Sequence, residues 1–192
     1  MATIQIFQPI LTEYRKNLFD SLSDKSDYKL IVSYSKESPF GKSVLYHENP
    51  NVTYYETGRW ISIFNLFFWQ TKLKIDKSLK KGDVIIFCGS LRHLSILPLF
   101  IKAKMKSIKI VWWSHGRSIR PAPFFDKIRR SIMRYMDSVI LYTEEEYLAY
   151  IDFGFNKENV FYINNTINEE KIIKSKEQWN DDMLTKFKEE IN

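Results

Sequence analysis

The run VIIFC at residues 84–88 is apolar on both faces of an extended chain. A strand of that kind is stable only when both faces of its sheet are covered, which favours a parallel sheet with helices above and below. The rest of the chain agrees with it. Residues 3–7, 28–34, 52–55, 84–88, 108–113, 138–142 and 160–163 read as short strands, rich in Ile, Val, Phe, Tyr and Trp. Between them lie stretches of helical period. One follows Thr12, a residue suited to an N-cap, and carries Tyr14, Leu18, Phe19 and Leu22 on one face. A second is expected over 64–79, interrupted by Lys81-Gly82-Asp83. A third begins at Ser95, which can cap it, with Pro98 tolerated in the first turn. Residues 124–136 and 144–153 are expected to be helical, the latter closed by Gly154. Residues 35–50 read as loop, and the tail from 169 as polar helix. Strand–helix alternation of this kind predicts an α/β fold: a doubly wound, mostly parallel, Rossmann-like sheet of about seven strands with helices on both faces.

In such sheets ligands bind beyond the carboxyl ends of the strands. Four successive predicted strands end there in small or hydrogen-bonding residues: Gly89-Ser90, Ser114-His115-Gly116-Arg117, Thr143, and Asn164-Asn165-Thr166. The bland reading is that loops are polar. The sharper one is a shared crevice, because all four fall on one predicted edge.

Composition limits the partners. The 192 residues suit one domain with a short appendage, and 44% hydrophobic content with 16% aromatics can fill a core. A formal charge of +6 favours anionic partners or a merely solvated basic surface. The single cysteine, Cys88, allows no intrachain disulfide and fits a reducing compartment. No amino-terminal signal and no run near the roughly 20 residues of a spanning helix stands out. A cytoplasmic location follows as the expectation, with membrane contact at the surface only. Gly41-Lys42-Ser43 imitates the end of a phosphate-binding loop, but Lys36 occupies the position where the first glycine is needed. There is no dinucleotide fingerprint and no nucleophile elbow. The three histidines are far apart without metal-spaced partners, so no metal is expected. Nucleic acid is disfavoured for want of any known binding pattern.

Two stretches have aromatics beside cations, as the headgroup zone of a membrane requires. One runs over 59–81 and holds Trp60, Phe64, Phe67, Phe68, Trp69 and a lysine cluster; the other holds Arg129, Arg130 and Arg134. The competing reading puts those aromatics in the core and the cations on a solvated face.

The segments KGDVIIFCGSLRHLSILPLFIKAKMKSIKIVWWSHG and IRRSIMRYMDSVILYTEEEYLAYIDFGFNKENVFYINNTIN together resemble the N-terminal domain of GT-B glycosyltransferases of family 4. The matching pieces are His115-Gly116, residues 136–140, Thr143, Gly154 and residues 165–168. The early QPILTEYRKNLFDSL resembles the first-strand loop and helix of a subgroup with a Tyr-Arg pair, here Tyr14-Arg15. The resemblance runs from Ile4 to Asn168. Where many relatives have a Gly-Gly pair in the first loop, this chain has Pro9-Ile10-Leu11-Thr12.

The resemblance implies an acceptor-binding domain over 1–168, a helical tail or interdomain linker over 169–192, and a donor-binding second domain beyond this chain. It implies a retaining transfer from a nucleotide-sugar, which is substrate rather than cofactor, to a saccharide or lipid-linked acceptor in surface-polysaccharide synthesis. His115 would be the catalytic-cleft residue. Tyr14, Arg15, Ser90, Arg92, Ser114, Gly116, Arg117, Arg120, Thr143, Asn165 and Thr166 would bind substrate. A structural role is the alternative for each, and a non-catalytic module binding a protein partner or an anionic membrane is the alternative for the whole.

Overall fold

The structure is a computed structural model that describes residues 1–24, 27–44, 49–88, 90–117, 123–164 and 169–191. In chain order its elements are β1 (Thr3–Ile10), α1 (Glu13–Asp24), β2 (Lys29–Ser35), β3 (Glu37–Ser38), β4 (Gly41–Lys42), β5 (Val52–Glu56), β6 (Trp60–Ile63), β7 (Phe67–Gln70), β8 (Val84–Cys88), α2 (Ile96–Met105), β9 (Lys109–Trp113), α3 (Pro123–Met133), β10 (Ser138–Leu141), α4 (Glu144–Asp152), β11 (Val160–Tyr162), α5 (Glu169–Gln178) and α6 (Asp181–Ile191).

The central sheet has seven strands in the order β11-β10-β9-β8-β1-β2-β5. Every pairing in it is parallel. The chain winds outward from β1 to β5, then returns to β8 on the other side of β1. That reversal opens a crevice at the carboxyl ends of β1 and β8. The predicted α/β, doubly wound architecture is therefore the observed one.

Strand alternation divides the apolar side chains into two layers. Phe7, Phe87 and Trp112 join Leu99, Met133 and Tyr150, under α2, α3 and α4. Ile6, Cys88 and Trp113 join Leu11 and Phe19, under α1. Adjacent Trp112 and Trp113 thus serve opposite faces, which is why the run around them is continuously apolar. The side chains described on α5 and α6 are exposed.

Three sequence expectations need correction. No helix covers 64–79; β6 and β7 form an antiparallel hairpin there, with Ile63 opposite Phe67 and Trp60 opposite Gln70. The phenylalanines at 64, 67 and 68 imitate helical spacing, but β-branched and aromatic residues prefer a pleated surface. The turn settles the matter: Leu66 N–H donates to Ile63 O at 3.1 Å, and Phe64 and Asn65 take φ of 52° and 54°. That hand matches strand twist and closes a tight hairpin.

Ser95 occupies the N-cap of α2 without a side-chain capping bond. Its hydroxyl instead accepts the Gln70 N–H at 2.9 Å, fastening the hairpin to the helix. The stretch expected to be loop contains the short β3–β4 pair.

The non-helical crossover from β7 to β8 is held by a buried polar residue. Gln5, in the middle of β1, donates to Ser33 Oγ at 3.0 Å and to Lys74 O at 3.1 Å. Its carbonyl accepts the Asp76 N–H at 2.9 Å.

Candidate functional site

The carboxyl ends of β1, β8, β9 and β10 meet around a cleft of about 540 Å³. That is within the range of pockets that hold small organic ligands. Its walls come from Gln8, Pro9, Ile10, Thr12, Tyr14 and Arg15, from Cys88, Ser90 and Leu91, from Trp112 to His115, Arg117, Arg129 and Tyr142 and, from the neighbouring loop, Phe40. Six predicted site residues line it: Tyr14, Arg15, Ser90, Ser114, His115 and Arg117.

His115 stands at the tip of β9 with its side chain 61% exposed. Its ring lies 4.4 Å from that of Tyr142, centroid to centroid. Nδ1 is 3.7 Å from Glu146 Oε1. That separation is too long for a direct hydrogen bond. The backbone beneath it is pinned: Gly116 N–H donates to Glu146 Oε1 at 2.9 Å, and Gly116 O accepts the Tyr150 hydroxyl at 2.9 Å. Ser114 Oγ accepts Trp112 Nε1–H at 2.7 Å and donates to His115 O at 3.1 Å.

Gly116 is a glycine for reasons of packing. A Cβ there would stand 2.8 Å from Tyr150 Cε2 and 3.2 Å from Leu141 Cδ2. It lines no part of the cleft but lets the His115 tip lie against α4.

Arg15 is 4% exposed. Its guanidinium donates to the Tyr142 hydroxyl at 2.7 Å and sits 3.8 Å from the Trp113 ring centroid, a cation–π arrangement. Burial pushes the Tyr142 phenol up to about 12, although Arg15 draws it back down. Burial also pushes the Cys88 thiol up to about 12, so this cleft wall holds a thiol and not a thiolate.

Other predicted residues have structural duties. Arg92 donates to Leu66 O and, at 3.1 Å, to Asn65 O, clasping the β6–β7 turn outside the cleft. Thr143 caps α4, accepting the Glu146 N–H at 3.1 Å. Arg117 is held at its guanidinium by Glu145 at 3.1 and 3.3 Å. Arg120, Asn165 and Thr166 lie outside the described residues.

Glu146 is the positioning residue that sequence reasoning missed. It is buried, and its second oxygen accepts the Tyr142 N–H at 3.2 Å. One carboxylate therefore ties the tips of β9 and β10 together. The signal was available: Thr143-x-x-Glu146 has the form of a capping box. The carboxylate reaches past the cap residue to Tyr142 and Gly116 instead.

Among the described residues no group of three His, Cys, Asp or Glu side chains is placed to hold a metal ion. No described helix is long and apolar enough to cross a membrane.

No protein-family model matches the chain, and no curated protein matches its sequence. Among solved structures it is similar to a UDP-N-acetylglucosamine 2-epimerase from Rickettsia bellii, with a TM-score of 0.48 and 16% identity. The match covers 94% of this chain and 50% of that one, so the chain spans about half the length of that protein.

Proposed function

We propose that this chain is the acceptor-side half of a retaining, family 4-like glycosyltransferase acting on a saccharide or lipid-linked acceptor. A nucleotide-sugar held by a second domain is the donor, and surface-polysaccharide synthesis is the setting. The observation that carries the reading is the convergence of four parallel strand tips on one cleft, with the exposed His115 ring on its wall.

Exposed Phe40 and half-buried Tyr142 offer flat apolar surface to a sugar ring, while Ser90, Ser114 and His115 offer hydrogen bonds to its hydroxyls. Among the described residues no Asp or Glu lines this cleft. A proton leaving an acceptor hydroxyl therefore has His115, or the donor's own phosphate, to receive it. The role of this half is to place that hydroxyl and exclude its alternatives, which accelerates transfer by orientation.

The test uses the protein in which this chain accompanies a nucleotide-sugar-binding domain. There His115→Ala should lower transfer by about 100-fold or more, with the melting temperature nearly unchanged. Transfer at the wild-type rate removes His115 from the reaction. Turnover of a nucleotide-sugar by residues 1–192 alone overturns the division of labour.

A second reading is an anionic membrane surface as partner, in place of or beside the acceptor. It is favoured by the β6–β7 hairpin, whose tip residue Phe64 is 93% exposed beside the turn carbonyls that Arg92 clasps. An apolar tip next to a cation suits the headgroup zone, on the inner face of the cell membrane.

A further inference from the structure

We propose that Arg15 is an anion seat, and that the molecule bound in this cleft carries a phosphate or carboxylate group. The inference deepens the acceptor reading and rests on it only in taking that molecule to be a saccharide.

Among the described residues the lining of the cleft includes Arg15, Arg117, Arg129 and His115, and no carboxylate. Two of the arginines are neutralised beside it: Arg117 by Glu145, and Arg129 by Asp126 at 3.0 Å. Arg15 is not. Among the described residues no carboxylate lies within ion-pair distance of it, and Tyr142 is the acceptor it bonds.

Its surroundings do not answer the charge. Tyr142 and Cys88, both shifted up to about 12, are neutral at ordinary pH. The aromatic faces of Trp113, Tyr14 and Tyr142, at 3.8, 5.3 and 5.4 Å, stabilise a cation without cancelling it. Burying an uncompensated charge opposes folding. A guanidinium has five N–H donors in a rigid fork and cannot shed its proton. A guanidinium over an indole face still has N–H donors for other acceptors, and its fork is one that an oxyanion can meet bidentately. Position adds to this: Arg15 is in the first turn of the 12-residue helix α1, where the helix dipole also favours negative charge.

The experiment is a titration of tryptophan fluorescence, because Trp112 and Trp113 both line the cleft. The probes are glucose 1-phosphate, glucuronate, glucose and inorganic phosphate, each added to residues 1–192. The expected result is a saturable response to glucose 1-phosphate or glucuronate and at least tenfold weaker binding of glucose. Arg15→Gln should weaken the anionic sugar more than tenfold while leaving glucose unaffected. Arg15→Lys, which keeps the charge and loses the fork, should fall between. Melting curves show whether each variant is folded, and the Lys variant carries the test if the Gln variant is not.

Which sugar responds distinguishes phosphate from carboxylate as the natural group. Equal binding by wild type and Arg15→Gln, equal binding of glucose and its phosphate, or no response to any anion overturns the proposal. Arg15-dependent binding of inorganic phosphate, with no gain from an attached sugar, upholds the anion seat and instead removes the acceptor reading.

Discussion

Glu146 on α4 accepts the Gly116 N–H at 2.9 Å and so fixes the tip of β9 on which His115 stands. The same carboxylate accepts the Tyr142 N–H at 3.2 Å. A glutamine at 146 has one acceptor oxygen, so its amide group would face one of these two donors. Glu146→Gln should cost about 1–3 kcal/mol in urea denaturation and shift the His115 ring signals in NMR spectra. Unmoved His115 signals would show that Glu146 does not position the ring.

Gly116→Ala tests the close approach of β9 to α4. The added Cβ meets the ring of Tyr150, which is buried and bonded to Gly116 O. Overpacking of this kind costs about 1–3 kcal/mol, which lowers the melting temperature of a chain this size by roughly 2–12 °C. A melting temperature equal to wild type would contradict the packing.

His93 makes stability depend on pH. It is buried, and no hydrogen bond engages either ring nitrogen. Its ring packs 4.3 Å from that of Trp60. Burial lowers its pKa from 6.5 to about 4. The unfolded chain thus takes up this proton more readily than the folded one. The stability concerned is complete above about pH 6.5 and declines as pH falls toward 4. The loss should be of order 3 kcal/mol. Chemical denaturation of wild type and His93→Phe across this window is the measurement; parallel pH profiles would refute the assignment.

Phe64→Ser tests the hairpin tip. Vesicles of phosphatidylcholine with phosphatidylglycerol should sediment the wild-type chain, and the variant several-fold less. Binding that ignores both the anionic lipid and the substitution would rule out the membrane reading. The substitution leaves the cleft intact, since Phe64 is absent from its lining.

The parallel sheet was legible in the sequence because its signals are local. Continuous apolar runs such as 84–88 and 108–113 demand cover on both faces, and the helical stretches between them supply it. The polar tips of β8 and β9 could be placed on one edge for the same reason, since strand direction follows from parallel pairing. The hairpin over 60–70 was illegible because three phenylalanines satisfy a helical period and a pleated one; its turn conformation and its contacts with Ser95 and Arg92 decided between them.

Sequence alone thus determined the layers, the seven strands of the central sheet and the edge on which their carboxyl ends lie, all of which depend on spacing along one chain. Tertiary structure decided which residues share the cleft. Arg15 and Tyr142 are 127 positions apart yet bonded, and Glu146 reaches across 30 positions to Gly116. Arg92 and Thr143, equally polar and equally close to strand ends, are spent on a turn and a cap. Whether a polar side chain faces a ligand or satisfies its own backbone depends on three-dimensional neighbours, and no periodicity in the sequence encodes those.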